Sequence, residues 1–388
     1  MISVAEAKKI IADNKLTLPA VELPLQDAAQ LRLAENVYSK VDVPAFTQSS
    51  MDGYAFVYAD YQSKKGLLVN GEMQAGSKKA FNLAAGHAAR IFTGAPLPGN
   101  ADTVIMQEKV RLENNELIID DINLQPGNSV RAKGAAIKAG ELALPKNSLL
   151  SPGAIGFLAG MGISHVTVFD RPRVSIILTG NELQQPGKDL RFGEVYESNS
   201  FALRSILRAL QITDVKIYSA DDELEQVKQV LSKALSSSDL VLLTGGVSVG
   251  DYDFVIAAAA ACGIHQLFHK IKQRPGKPLY FGRKENKLVF GLPGNPSSVL
   301  TCFYEYVLPA LQADLMVLRV PLAKSFQKPA GLTHFLKGWY NDKTVMPLDA
   351  QESYRMSSFA VANCLIKVEE ETTVCNEGEL AEIHLLSF

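Results

Sequence analysis

From Arg173 to about residue 311, apolar runs of strand length alternate with segments of helical period, and this pattern forces a mainly parallel sheet with helices on both faces. Strands are expected at 174–178, 215–218, 240–243, 264–270, 278–282 and 287–290, and helices at about 200–210, 223–235, 252–262 and 296–311. The second helix is marked by Leu224, Val227, Val230, Leu231, Ala234 and Leu235, with Asp221 and Asp222 as cap candidates. Ligands of such sheets bind at the carboxyl ends of the strands, where two glycine-rich segments fall: TGGVSVGDYDF at 244–254 and LPGNPSS at 292–298. A strand that breaks on Gly245-Gly246 and resumes as a helix presents backbone N–H groups and a positive dipole end to an anion. Asp251 would repel phosphate there unless a cation lay between them, so the segment points to a Mg²⁺-bridged nucleotide or pyrophosphate.

With 388 residues and 47% hydrophobic content, the chain exceeds what one core accommodates. Its net charge of −2 gives no global attraction to nucleic acid or membrane, so anion binding requires a local cluster. Cys262, Cys302, Cys364 and Cys375 form no CxxC pair, which argues against a zinc site or a disulfide framework and fits a reducing cytoplasm. Residues 1–13 mix Ile2, Val4, Ile10 and Ile11 with Glu6, Lys8 and Lys9, unlike a signal peptide. The longest apolar run, 255–264, is about half the roughly 20 residues that span a bilayer. A soluble protein is expected.

Helices are expected at 3–13, capped by Ser3, and at about 26–36. From Pro44 to about Ser148 short β-type runs (54–57, 101–106, 109–112, 117–119) are broken by Gly, Pro and Asn, which predicts a β-rich domain. A helical piece at 152–159 leads into the α/β region, and runs at 345–347, 360–368 and 381–386 predict a small terminal β-domain.

Five further segments carry candidate chemistry. TGNEL at 179–183 brings Glu182 to the strand-end edge; alone it is an ordinary turn with a solvated carboxylate, but beside Asp251 it completes a pair suited to Mg²⁺ with phosphates. The stretch 268–279 crowds Lys270, Lys272, Arg274 and Lys277 around Pro275-Gly276, either as a solvated hairpin or as an anion site preorganised by Pro275 and Pro278. In LPGNPSS, Pro296 opens a helix capped by Asn295, with Ser297 and Ser298 as donors, although a tight corner explains the glycine and prolines equally well. Asp52 in SSMDGYA reads as a turn former. Thr93 and Glu108 are the polar candidates of IFTGAPLPGNADTVIMQE at 91–108. The six histidines make no credible metal pair, and His265 and His269 share a strand face in a structural role. The P-loop pattern GxxxxGK[ST] is absent from the sequence.

SSMDGYA, IFTGAPLPGNADTVIMQE, TGNEL, YESNS, TGGVSVGDYD, PGKP and LPGNPSS occur in a single order across nearly the whole chain, and together they resemble the molybdopterin molybdenumtransferases, the MoeA and gephyrin E-domain family. The resemblance implies a multidomain α/β plus β homodimer. Its expected parts are a discontinuous linker-like domain (1–43 plus 131–168), a β-rich inserted domain (44–130), an α/β parallel-sheet molybdopterin-binding domain (169–317) and a C-terminal β-barrel-like domain (318–388). The implied reaction inserts molybdate into adenylylated molybdopterin and releases AMP with Mg²⁺.

By the same resemblance Glu182 and Asp251 position Mg²⁺ or the phosphoanhydride, while Gly245, Gly246, Ser248 and Asn199 contact molybdopterin or its nucleotide. Arg274, Lys277, Pro278 and Ser298 form the molybdate pocket, with Gln351, Ser353 and Ser358 as weaker ligand candidates. Asp52 and Thr93 reach the active site from the other subunit. A molybdopterin adenylyltransferase and recipient apo-molybdoenzymes are the implied partners. Three positions depart from the pattern: Ala136 where an acidic residue is usual, Lys337 for arginine, and Glu197 for aspartate. Ala136 implies a slower enzyme or a compensated site, an explanation that fails if Ala136→Asp does not raise turnover. Adenylylation of molybdopterin and a catalytically lapsed scaffold are the competing readings.

Overall fold

The computed structural model describes residues 1–64, 66–247, 254–313 and 315–386. The chain divides into two compact units, one of residues 19–170 and one of residues 1–18 with 171–388. The N-terminal helix, contiguous in sequence with residues 19–43, therefore belongs by packing with the later α/β segment.

The larger unit is built on a six-stranded sheet in the order Val215–Ala220, Val174–Thr179, Leu240–Thr244, Lys287–Leu292, Tyr280–Lys284, His265–His269. The first four strands are parallel and the last two pairings antiparallel. Strands VSIILT and LVLLT are buried at every position, as a parallel sheet covered on both faces requires. Side-chain alternation divides them between two cores. Ile176, Leu178, Leu240, Leu242, Leu288 and Phe290 face one side, where helices Val4–Asp13, Asn199–Ala209 and Pro296–Cys302 contribute Ile11, Leu203 and Val299. Ile177, Val241, Leu243 and Val289 face the other, against Val227 and Leu231 of helix Leu224–Ser237 and Val255 and Ala258 of helix Phe254–Ala261.

The expected single helix at 296–311 is interrupted: Pro296–Cys302 passes into a π-helical stretch, Phe303–Val307, before a last turn, Leu308–Ala310. All five π residues are buried, among them Glu305, whose carboxylate meets Lys8 Nζ at 2.5 Å and His384 Nδ1 at 2.6 Å. Helical spacing of apolar residues does not reveal such a register change, because it is set by these long-range partners.

Residues 317–385 form a second sheet in the order Thr333–Tyr340, Cys364–Val368, Leu380–Leu385, Val317–Pro321, with Val345–Pro347 paired to Thr333–Tyr340. Its outer strand comes from elsewhere in the chain: Gln273–Arg274 pairs in parallel with Thr333 and His334.

In the unit of residues 19–170, the strands order as Thr103–Met106, Gly53–Phe56, His87–Ile91, Leu67–Met73, Glu116–Ile119, Val110–Glu113. Tyr54, Phe56 and Ile105 face one core, Ala55 and Val104 the other. A Cβ on Gly53 would lie 1.8 Å from Ile105 O, so the glycine of SSMDGYA lets two strands meet. Helix Tyr58–Lys64 within this β-rich part is not foreseen from sequence. The expected helix at 26–36 is corrected: only a 3-10 turn, Leu25–Ala28, forms, Gln30 adopts φ 64°, and Leu31 and Leu33 pair through their backbones with Leu150 and Ser148. Non-local backbone pairing outweighs local propensity there.

Candidate active site cleft

Three parallel strands end side by side, and each runs on into an irregular turn. Thr179 leads to Gly180 (φ 138°) and Glu182; Thr244 leads to Gly245 (φ 91°) and Gly246 (φ 61°); Leu292 leads to Pro293, Gly294 and Asn295. A Cβ on Gly245 would fall 2.6 Å from Thr179 O and 2.8 Å from Thr179 Oγ1, so only glycine allows these strand ends to close together. Thr179 Oγ1 donates to Thr244 O at 3.3 Å, and Gly245 N–H to Leu292 O at 3.3 Å.

These ends floor a cleft of about 670 Å³. Of the predicted residues, Glu182, Asn199, Gly245, Gly246 and Pro278 line it. Asn199 opens helix Asn199–Ala209 and donates through Nδ2 to Gly294 O at 3.0 Å, while its buried Oδ1 finds no partner among the described residues. The neighbouring Glu197 is 3% exposed and accepts from Ser200 N at 2.7 Å and Ser200 Oγ at 2.6 Å. It thus caps the helix that presents Asn199, with its negative charge at the helix N-terminus.

Asp222, taken from sequence only as a helix cap, also lines the cleft. Burial and then the nearby Glu182 carboxylate push its carboxyl above the ordinary range. Its signal in the sequence is a position: like Glu182, it comes just after a strand end, here that of Val215–Ala220. Two carboxylates converging in one cleft suit a divalent ion that also takes phosphate oxygens. Among the described residues no group of three or more His, Cys, Asp and Glu could hold a metal unaided. Ser248 and Asp251 lie outside the described residues.

The Pro-Gly turn flanks the cleft through Pro278, leaving Arg274 and Lys277 exposed. Lys272 is engaged elsewhere, 2.8 Å from Glu370. Ser298 is 3% exposed and lies behind the turn, its carbonyl 3.7 Å from where a Cβ on Gly276 would stand, and it is absent from the cleft wall. The C-terminal candidates are hydrogen-bonded within the chain. Gln351 exchanges hydrogen bonds with the backbone of Lys337, and Ser358 Oγ donates to Ala350 O at 2.7 Å. Lys337 is 2% exposed and gives its ammonium to the carbonyls of Ala350, Glu352 and Arg355. That holds the segment whose Ser353 Oγ accepts from Asn295 Nδ2 at 2.9 Å and whose Tyr354 lines the cleft.

In the other unit, SSMDGYA and IFTGAP meet. Asp52 Oδ1 accepts from Thr93 N at 2.7 Å and Thr93 Oγ1 at 2.8 Å, which with Arg90 lowers the Asp52 carboxyl pKa. Both residues are exposed. Asp52 is thus an ionised acceptor locked to Thr93, more than the turn former its local sequence suggests.

A cleft at the carboxyl ends of parallel strands, with glycine turns, two carboxylates and a flanking cationic turn, is the arrangement of an α/β protein suited to a phosphorylated ligand. Three family models match in succession: MoeA N-terminal region (domain I and II) over residues 2–162, probable molybdopterin binding domain over 175–313, and MoeA C-terminal region (domain IV) over 319–386. The chain is 34% identical over 381 residues to a molybdopterin molybdenumtransferase of Haemophilus influenzae, covering 94% of each. It is 31% identical to that of Staphylococcus aureus, covering 99% of this chain and 95% of the relative. A crystal structure of a molybdopterin biosynthesis MoeA protein from Pyrococcus horikoshii superposes with a TM-score of 0.86 at 28% identity, over 99% of this chain and 100% of that one. The chain belongs to the MoeA family of molybdopterin molybdenumtransferases, enzymes of molybdenum cofactor biosynthesis.

Proposed function

We propose that this chain inserts molybdate into adenylylated molybdopterin and releases AMP in a Mg²⁺-dependent step. The observation that carries the reading is the joining of Glu182, Asp222, Asn199 and the Gly245-Gly246 turn in one cleft within the segment matched by the molybdopterin-binding model. The glycine turn admits the close backbone approach that phosphate binding needs. Asn199 Oδ1, buried and without a partner among the described residues, is available to accept a hydrogen bond from the nucleotide or pterin. Glu182 and Asp222, with Asp251, would hold Mg²⁺, which when bound offsets phosphate charge as the phosphoanhydride opens. Arg274 and Lys277 attract the tetrahedral oxyanion, with Pro278 shaping the pocket and Ser298 supporting it from behind.

The active form is a homodimer in which Asp52 and Thr93 serve the partner's site. The enzyme works in the cytoplasm, downstream of a molybdopterin adenylyltransferase and upstream of apo-molybdoenzymes. Its free cysteines suit that compartment, and no described helix is long and apolar enough to cross a membrane.

The test is to supply purified protein with adenylylated molybdopterin, Mg²⁺ and molybdate, and to follow AMP release with reconstitution of an apo-molybdoenzyme. Molybdate-dependent AMP release with active cofactor supports the reading. ATP consumption would mark an adenylyltransferase instead, and binding without AMP release a lapsed relative.

A further inference from the structure

The cationic turn at residues 274–278 is backed by polar groups where apolar packing would suffice. Gln273 is 0% exposed, and its Nε2 donates to Pro275 O at 2.9 Å and Gly276 O at 3.2 Å. Its Oε1 accepts from the hydroxyl of Tyr306, which is also 0% exposed and comes from the π-helical stretch Phe303–Val307. Cys302 Sγ lies 3.7 Å from Gly276 O, and a Cβ on Gly276 (φ 85°) would stand 2.5 Å from that sulfur. Ile271 N–H closes the turn onto Lys277 O at 2.9 Å.

Both carbonyls inside the turn are therefore tied to one amide, and that amide to one phenol. Burying a glutamine side chain is costly unless its groups are bonded, and here both ends of the amide are. A fully satisfied buried network specifies one geometry more sharply than apolar contact does. Burial raises the Tyr306 pKa well above the ordinary value, so the hydroxyl remains a donor. The outer side of the same turn carries Arg274 and Lys277, both exposed.

We infer that Tyr306 and Gln273 are positioning residues for the oxyanion pocket: by fixing the carbonyls of Pro275 and Gly276 from inside, they hold Arg274 and Lys277 in the arrangement that receives molybdate. Neither residue touches substrate. The inference rests on the proposed molybdate role of the turn, and it explains why a π-helical segment lies behind it: π turns recur at functional sites, and this one delivers Tyr306 to Gln273.

The test compares Tyr306→Phe, Gln273→Met and Lys277→Ala in molybdate-dependent AMP release, with molybdate binding measured separately by calorimetry on the nucleotide-free full chain. Tyr306→Phe removes one oxygen atom, and Gln273→Met keeps nearly the same volume. Tyr306→Phe is expected to raise the KM and the calorimetric Kd for molybdate about tenfold, the scale of one lost hydrogen bond, and Gln273→Met, which removes the bonds to Pro275 O and Gly276 O as well as that from Tyr306, at least as much, while in both the KM for adenylylated molybdopterin moves less than about twofold. A purely structural role would shift both substrates together or lower only the melting temperature, and either result overturns the inference. If Lys277→Ala weakens molybdate binding but the two buried variants do not, the pocket stands and the positioning role falls. If Lys277→Ala leaves molybdate binding unchanged, the turn is not the oxyanion pocket, and this inference falls with it.

Discussion

Asp222 shows what a single side chain contributes to the cleft. Its carboxyl is raised by burial and then by Glu182, so its folded pKa lies above its unfolded one. The stability this group offers is complete at pH values below the unfolded pKa and is lost as pH rises through the folded pKa. At neutral pH Asp222 is therefore a local strain, of the kind functional sites retain. Asp222→Asn is expected to raise the melting temperature at pH 7, with the gain fading in acid, where the native carboxyl is itself protonated. Mg²⁺ is expected to raise the melting temperature of the native protein and to do so less in Asp222→Asn. Thermal scans over pH, with and without Mg²⁺, check both, and an equal Mg²⁺ effect in the two proteins would remove Asp222 from the proposed metal site.

At the scale of elements, the cleft depends on strand ends that approach more closely than side chains allow. Gly245 combines a left-handed φ with a position against Thr179 O that a methyl cannot share. Gly245→Ala is expected to destabilise the chain by about 2 kcal/mol from backbone strain, since an L-residue in that region costs roughly 1–2 kcal/mol before the clash is added. Nucleotide affinity is expected to fall more than tenfold, because the turn must swing away from strand Val174–Thr179. Urea titration and calorimetry with AMP report the two effects separately. The element most changed from its sequence reading is the helix after LPGNPSS: apolar spacing runs unbroken to about residue 311, yet the π-helical turn shifts the register so that Glu305 and Tyr306 both find buried partners.

Across the larger unit, one chain of polar contacts joins segments far apart in sequence. Glu305, 1% exposed, meets Lys8 from the N-terminal helix and His384 from the terminal sheet, and His384 Nε2 meets Glu382 at 3.1 Å. Burial pushes the Glu305 pKa up, but His384 and Lys8 together more than reverse this, and the carboxyl ends below its ordinary range. A depressed carboxyl adds stability above its unfolded pKa that is lost as pH falls through the folded value, so this joint should loosen in acid. His384→Leu leaves Glu305 with Lys8 alone and is expected to cost about 3 kcal/mol, the scale for breaking a buried pair. Urea unfolding at neutral pH checks this, and a cost under about 1 kcal/mol would mean that Lys8 suffices.

The sequence by itself determined the parallel core and the location of the cleft, because both depend on local signals: continuous apolar strands such as LVLLT, helical spacing in 224–237, and glycines at strand ends. It carried Glu182, Gly245 and Gly246 to the cleft for the same reason, whereas Asn199 came only from the family resemblance. Tertiary structure alone decided what depends on partners distant along the chain. It brought Asp222 beside Glu182, locked Asp52 to Thr93, turned Gln351 and Ser358 to backbone duty, and replaced an expected helix at 26–36 with pairing to residues 148–150. Propensity and spacing are set by neighbours in the chain, whereas the bonding of a buried polar group is settled only by which distant groups fold against it.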